Sequence, residues 1–125
     1  ILADIDYFKR VNDTHGHEVG DVVLQRFSAF LTHSLRTSDD VYRFGGEEFV
    51  IVFQGVNVIE AKNALVRLQS GVKTMLIGHG NKALNFTFSA GVVELHKKLS
   101  IKDVIKQADK LLYKAKKEGK NRVEY

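Results

Sequence analysis

Three observations predict an α+β fold. Two short β-branched and aromatic runs, residues 41–44 and 49–53, flank a tip of two glycines and two glutamates. Three longer stretches carry apolar residues at helical spacing, and residues 84–90 alternate apolar and polar side chains as a half-buried strand does. Strands and helices interleave along the chain, so one sheet with helices packed on it is expected.

The chain opens on Ile1-Leu2-Ala3-Asp4-Ile5, a strand already under way, and an excerpt of a longer domain is expected. Alternation puts Leu2, Asp4 and Asp6 on one face and Ile1, Ala3 and Ile5 on the other. Residues 7–21 are polar, contain two glycines and lead into a helix. Its stripe is Val19, Val23, Phe27, Phe30 and Leu31, fading near Ser34. Residues 36–39 form a polar connection into the hairpin. There Gly45 and Gly46 are expected to supply the positive φ of a tight connection, with Glu47 and Glu48 held at the tip. After a turn at residues 54–57, Ala61, Ala64, Leu65, Leu68, Val72 and Met75 mark a second amphipathic helix. Residues 78–81 read as a loop, and the alternating strand as continuing to about Leu95. Ser100 and Asp103 form an N-terminal cap pair for a third helix, which runs through Ile101, Val104, Ile105, Ala108, Leu111, Leu112 and Ala115 to a C-cap at Gly119. Residues 121–125 are a last short strand. The opening strand, helix and hairpin make a split βαββ arrangement, as in ferredoxin-like and polymerase-palm folds.

The 125 residues, 44% of them hydrophobic, suffice for one domain with a real core. No run approaches the length of a membrane span, so no membrane contact is expected from this stretch. With no cysteine, disulfides and thiolate metal sites are excluded, and any ion must take oxygen or histidine ligands, which favours hard cations. The net charge of +4 suits a phosphate-bearing partner. Its excess lies mainly between Lys97 and Arg122, which favours a local phosphate site over a nucleic-acid groove, and no basic stripe with interleaved aromatics is present.

Asp4 ends the first strand and Glu47 stands at the hairpin tip. If those strands are neighbours, the two carboxylates converge, and converging carboxylates repel unless a cation or proton joins them. A metal-assisted phosphoryl transfer uses such a pair. Taken alone, the same residues are equally a helix-entry cap and a solvated turn. Lys9 suits a phosphate, and the Tyr7 and Phe8 backbone N–H groups could face its oxygens. Asn12 and Asp21 fit the donor edge of guanine, or ordinary capping. The cations near residues 114–117 equally suit a helix C-terminus.

The string Arg43-Phe44-Gly45-Gly46-Glu47-Glu48-Phe49 resembles the signature of the GGDEF domain, the diguanylate cyclase family, in which Gly-Gly-Glu-Glu-Phe is an accepted form. Residues 4–9 resemble its metal and phosphate strand end, residues 12–21 its guanine-binding segment, and residues 108–121 its last helix. These blocks follow the family's order over nearly the whole chain. The resemblance implies a nucleotidyl-cyclase, palm-like fold with a βαββαβ core and a mostly antiparallel sheet. It implies Mg2+, or Mn2+, held by Asp4, the Ile5 carbonyl and Glu47, with Glu48 in support. It assigns guanine to Asn12 and Asp21 and the triphosphate to Lys9, Lys116 and Lys120, with Tyr7, Phe8, His17, Gly45 and Gly46 also lining the substrate site. Where the family often has arginine, Lys120 keeps the charge but loses the bidentate fork. Asp6 is expected to support the site, not to ligate.

The implied reaction joins two GTP into cyclic di-GMP across a two-fold dimer, in the cytoplasm, with an upstream sensory or dimerising domain. The family's leading helix is missing here, and a membrane anchor elsewhere in a longer protein is compatible. Arg36 and Asp39 match the family's Arg-x-x-Asp product-inhibition motif, five residues ahead of Gly45, and Arg67 falls where a further arginine serves the same ligand. Individually, Arg36 also reads as a helix-end cation, Asp39 as a turn former and Arg67 as a solvated helix position. The rival readings are a GGDEF-like module that binds GTP or cyclic di-GMP without catalysis, and a palm-type transferase acting on nucleic acid.

Overall fold

A computed structural model describes residues 1–79 and 82–125. The elements run β1 (Leu2–Ile5), α1 (Phe8–His15), α2 (His17–Ser34), β2 (Asp40–Arg43), β3 (Glu48–Val52), α3 (Val58–Lys73), β4 (Ile77–His79), β5 (Lys82–Leu84), β6 (Phe88–Gly91), α4 (Ile101–Lys117) and β7 (Val123–Glu124). Five strands form one sheet in the order β2-β3-β1-β6-β7. β1 sits at its centre, antiparallel to both β3 and β6, while β7 joins β6 in parallel. The predicted α+β class and split βαββ opening are what forms.

The alternation of β1 divides the molecule into two layers. Ala3 and Ile5 face a core built with α2 and α3 through Val23, Phe27, Leu31, Leu65 and Val72. Phe27 is its hub, edge-on to Phe49 at 5.1 Å and to Phe86 at 5.7 Å between ring centroids. Leu2 faces the other way, packing with Ala108 and Leu112 of α4. Asp4 lies on that second face, which puts it on the α4 side of the sheet.

α3 and α4 start where capping chemistry says they should. The Asn57 side chain accepts from the Glu60 N–H, and Ser100 accepts from the Asp103 N–H. α4 ends in a Schellman turn: Gly119 has φ +127°, and the Lys120 N–H donates to the Ala115 carbonyl.

Several expectations need correction. Residues 8–15, read as irregular, are helix α1. Its start has no side-chain cap, since Tyr7 enters it at φ 58°, so the usual sequence signal is missing. The expected loop at residues 78–81 begins inside β4, which pairs with β5 as a separate hairpin, and Gly80 and Asn81 lie outside the described residues. The long strand from Leu84 towards Leu95 is broken. Residues 85–87 keep the alternation of burial but belong to neither β5 nor β6, although the Thr87 carbonyl still accepts the Asp6 N–H across from β1. Gly45 and Gly46 do not adopt positive φ. The hairpin closes instead by Phe44 N–H to Glu48 carbonyl at 2.8 Å, a loop long enough to turn without left-handed residues. Among the described residues no helix is long and apolar enough to cross a membrane.

Candidate active site

The β1–β3 register pairs Asp4 with Glu48, and the Ile5 N–H donates to the Glu47 carbonyl at 3.3 Å. The acids at the end of β1 and at the β2–β3 tip, more than 40 residues apart in sequence, therefore meet at one end of the sheet. Burial is the main cause that lifts the Asp4 carboxyl from its ordinary 3.8 to about 6, and the charges of Glu47 and Glu48 add to it. Glu48 is also raised, by burial first and then by Asp109 and Glu47. Burial and neighbouring like charge therefore disfavour the ionised carboxyls unless a proton or a cation joins them, and Lys116 pulls Asp4 back towards the ionised form.

That end of the sheet already holds one cation, an ammonium. Lys116, in the last turn of α4, places Nζ 2.7 Å from Asp4 Oδ1 and 2.7 Å from Asp6 Oδ1. The same Nζ donates to the Ile5 carbonyl at 3.2 Å. Asp6 is fully buried and saturated. Thr87 Oγ1 and Ser89 Oγ donate to it at 2.7 Å each, and the Asn121 N–H at 2.9 Å. Its side chain ties β1, β6 and the α4–β7 turn together, and all four of its acceptor positions are taken. Among the described residues no three Asp, Glu or His side chains stand ready to hold an ion alone. The donors Asp4, Ile5 carbonyl and Glu47 fit a hard cation that takes its remaining ligands from phosphate or water.

The predicted base-binding pair lies where α1 meets α2. Asn12 Oδ1 is buried with no hydrogen-bond partner among the described residues. It rests against Gly20, where a Cβ would come within 1.8 Å of it. Gly20 thus cradles the Asn12 amide, and the next residue, Asp21, lines a cavity of about 470 Å³ with Gln25, Ser28, Arg43 and Phe49. Both residues sit inside helices, so neither is a cap. Arg43 escaped the sequence reading. Its guanidinium donates to the Gly45 and Gly46 carbonyls, 2.8 Å at the shortest, and so fixes the tip while walling the Asp21 cavity. An arginine two residues ahead of the tip glycines was the available signal.

The remaining assignments are spread around this centre. Tyr7 lies between two cations, with Arg10 4.6 Å and Lys120 5.0 Å from its ring centroid. Lys120 and Asn121 both adopt positive φ, a strained conformation for residues with a Cβ. Lys9 is exposed on α1, Phe8 is half-buried beside Gly20, and His17 is exposed as the first residue of α2. Space is open above Gly46, so bare backbone is presented there.

A second group lies apart. Arg36 Nη2 is 3.0 Å from Asp39 Oδ1 and also donates to the Gln54 carbonyl at 2.9 Å. Burial alone would raise the Asp39 carboxyl, but the hydrogen bonds and charge of Arg36 outweigh it and hold it low. Arg36, Asp39 and Arg67 all line one cavity of about 600 Å³ between α2, α3 and the end of β3.

Comparison with known proteins converges on one family. A family profile described as "Diguanylate cyclase, GGDEF domain" matches residues 1–122. Diguanylate cyclase DgcZ of Escherichia coli is 42% identical over 122 residues, covering 98% of this chain and 41% of that protein. Response regulator PleD of Caulobacter vibrioides is 36% identical over 126 residues, covering 98% of this chain and 28% of that protein. Such curated relatives are thus more than twice as long as this chain. Among solved structures, the GGDEF domain of DgcB from Caulobacter crescentus, in complex with c-di-GMP, superposes with a TM-score of 0.93 at 30% identity, over 98% of this chain and 74% of that one. Diguanylate cyclase SiaD of Pseudomonas aeruginosa, solved with its activator SiaC, gives 0.93 at 34% identity, over 98% and 47%.

Proposed function

The chain belongs to the GGDEF-domain family, and from that premise we propose that it is the catalytic unit of a diguanylate cyclase. It joins two GTP molecules into cyclic di-GMP and releases two pyrophosphates. The observation that carries this reading is the meeting of Asp4 with the Glu47-Glu48 tip across the β1–β3 pair.

Asp4, the Ile5 carbonyl and Glu47 hold a divalent cation, with Mg2+ or Mn2+ the natural choice for an all-oxygen set. The cation, when bound, lowers the cost of ionising the attacking 3′-hydroxyl and offsets charge on the α-phosphate. Lys9, Lys116 and Lys120 neutralise the triphosphate, and the free N–H groups at the start of α1 face it. Asn12 and Asp21 accept from guanine's N1–H and N2–H₂, an edge that adenine does not offer. The bare backbone of Gly45 and Gly46 lets substrate approach the acids closely.

One copy holds one nucleotide, so two copies must face each other across a two-fold axis. Positioning both substrates supplies much of the rate. Cyclic di-GMP itself is the ligand we assign to the cavity of Arg36, Asp39 and Arg67, from which it slows the enzyme. The reaction runs in the cytoplasm, where GTP is supplied.

The test is to incubate the protein with labelled GTP or ATP and a divalent cation and to separate the products chromatographically. Cyclic di-GMP from GTP and none of its adenine counterpart from ATP is expected. Nucleotide binding without any dinucleotide product would leave a binding module in place of the enzyme.

A further inference from the structure

Lys116 sits on the oxygens that the proposed metal requires. Its ammonium contacts one Asp4 carboxylate oxygen at 2.7 Å, the Ile5 carbonyl at 3.2 Å and the Asp4 carbonyl at 3.4 Å. A divalent ion on Asp4 and Ile5 would share those acceptors with a lysine cation, and two cations at that separation repel strongly. The packing of α4 sets where the lysine stem begins. Ala108, Leu112 and Ala115 are buried along α4. Gly91 allows a backbone approach in which a Cβ would lie 2.4 Å from the Ala108 carbonyl. This packing delivers the Lys116 stem across the end of β1.

The cradle is asymmetric. Asp6 is fixed by Thr87, Ser89 and the Asn121 N–H as well as by Nζ. Asp4 has no other cationic partner among the described residues and is the contact that can be released.

Resting on the nucleotide-site reading above, we propose that Lys116 is a built-in counter-ion that competes with the divalent cation for Asp4 and the Ile5 carbonyl. Without nucleotide, the ammonium holds those oxygens and metal binds weakly. A triphosphate offers Lys116 alternative anionic partners, which frees Asp4 for the metal. Metal and nucleotide therefore bind with positive coupling, and by linkage the coupling is the same from either side. A metal ion is thus captured mainly when substrate is present.

The experiment is a titration of the nucleotide-free protein with Mn2+, followed by electron paramagnetic resonance. Lys116→Met should bind Mn2+ at least about tenfold more tightly than wild type, as expected for removing a unit charge within a few ångströms. Lys120→Met, whose cation lies over Tyr7 and not on Asp4, should change affinity by less than about twofold. Adding Asp4→Asn to Lys116→Met must abolish the gain, because the freed Asp6 is not the site.

Should Lys116→Met fail to fold, the wild type decides. Its Lys116 side-chain resonance must move in step with added Mg2+ alone, and an unmoved resonance under saturating Mg2+ overturns the proposal. Wild type and Lys116→Met binding Mn2+ alike overturns this inference and leaves the metal reading intact. Absence of Mn2+ binding in every variant overturns both.

Discussion

Asp6 and Asp4 are two residues apart on one strand face and have opposite tasks. Asp6 accepts from four donors in a buried setting, so its removal orphans partners on β6, α4 and the α4–β7 turn. Asp6→Ala should cost roughly 3–5 kcal/mol of stability in urea denaturation, as expected when one side of a buried ion pair is lost. A cost below about 1 kcal/mol would contradict that structural role. Asp4 behaves differently. Burial holds its carboxyl at about 6, above the ordinary 3.8, so the folded chain keeps this proton where the unfolded chain has shed it. The stability this proton confers is fully present below pH ~4 and is lost as pH rises through about 6. In metal-free buffer, Asp4→Asn should therefore gain stability relative to wild type between pH 4 and 7. Parallel stability curves for the two proteins would contradict the assignment.

At the scale of elements, the α1–α2 junction shapes the corner proposed to bind the base. Gly20 has no Cβ because the Asn12 amide occupies that space, with the Phe8 ring tip also 3.3 Å from where a Cβ would stand. Gly20→Ala should push Asn12 aside and weaken GTP about tenfold by calorimetry, the worth of roughly one good hydrogen bond. The Asn12 side-chain end can move, so the melting temperature should fall only slightly. Unchanged GTP affinity would mean that Asn12 does not read the base. Here the sequence was least legible. Asn12 and Asp21 were visible as candidates, but α1 was not. Phe8 and Val11 are its main apolar residues, none of it is buried, and it begins on a left-handed tyrosine. The hairpin and both flanking strands were legible because β-branched and aromatic runs on either side of a Gly-Gly turn read as strands. The contact of Lys116 with Asp4 was not, since it joins residues 112 positions apart. Only the packing of α4 on β1 and β6 brings them together. The glycines at the tip were expected to supply positive φ, and neither does.

At the scale of the molecule, one sheet carries two candidate sites. β2 and β3 run from the Arg36–Asp39 end to the Glu47–Glu48 tip, so a ligand at one end bears on a strand pair that ends at the other. In the resting chain the Arg36 guanidinium is satisfied by Asp39 and the Gln54 carbonyl. Titrated with cyclic di-GMP, wild type should bind and slow, and an Arg36→Ala, Asp39→Ala double variant should lose both effects while still turning over GTP. Equal responses would reduce the pair to loop chemistry.

The central claim is that acids from β1 and from the β2–β3 tip serve one reaction. It is tested most directly by turnover of GTP to cyclic di-GMP in proteins fused to the same dimeric coiled coil, so that pairing of two copies is not limiting. Wild type should form product, and Asp4→Asn and Glu47→Gln should each lose at least about a thousandfold with unchanged circular dichroism. Near-normal turnover in either folded variant would contradict the account.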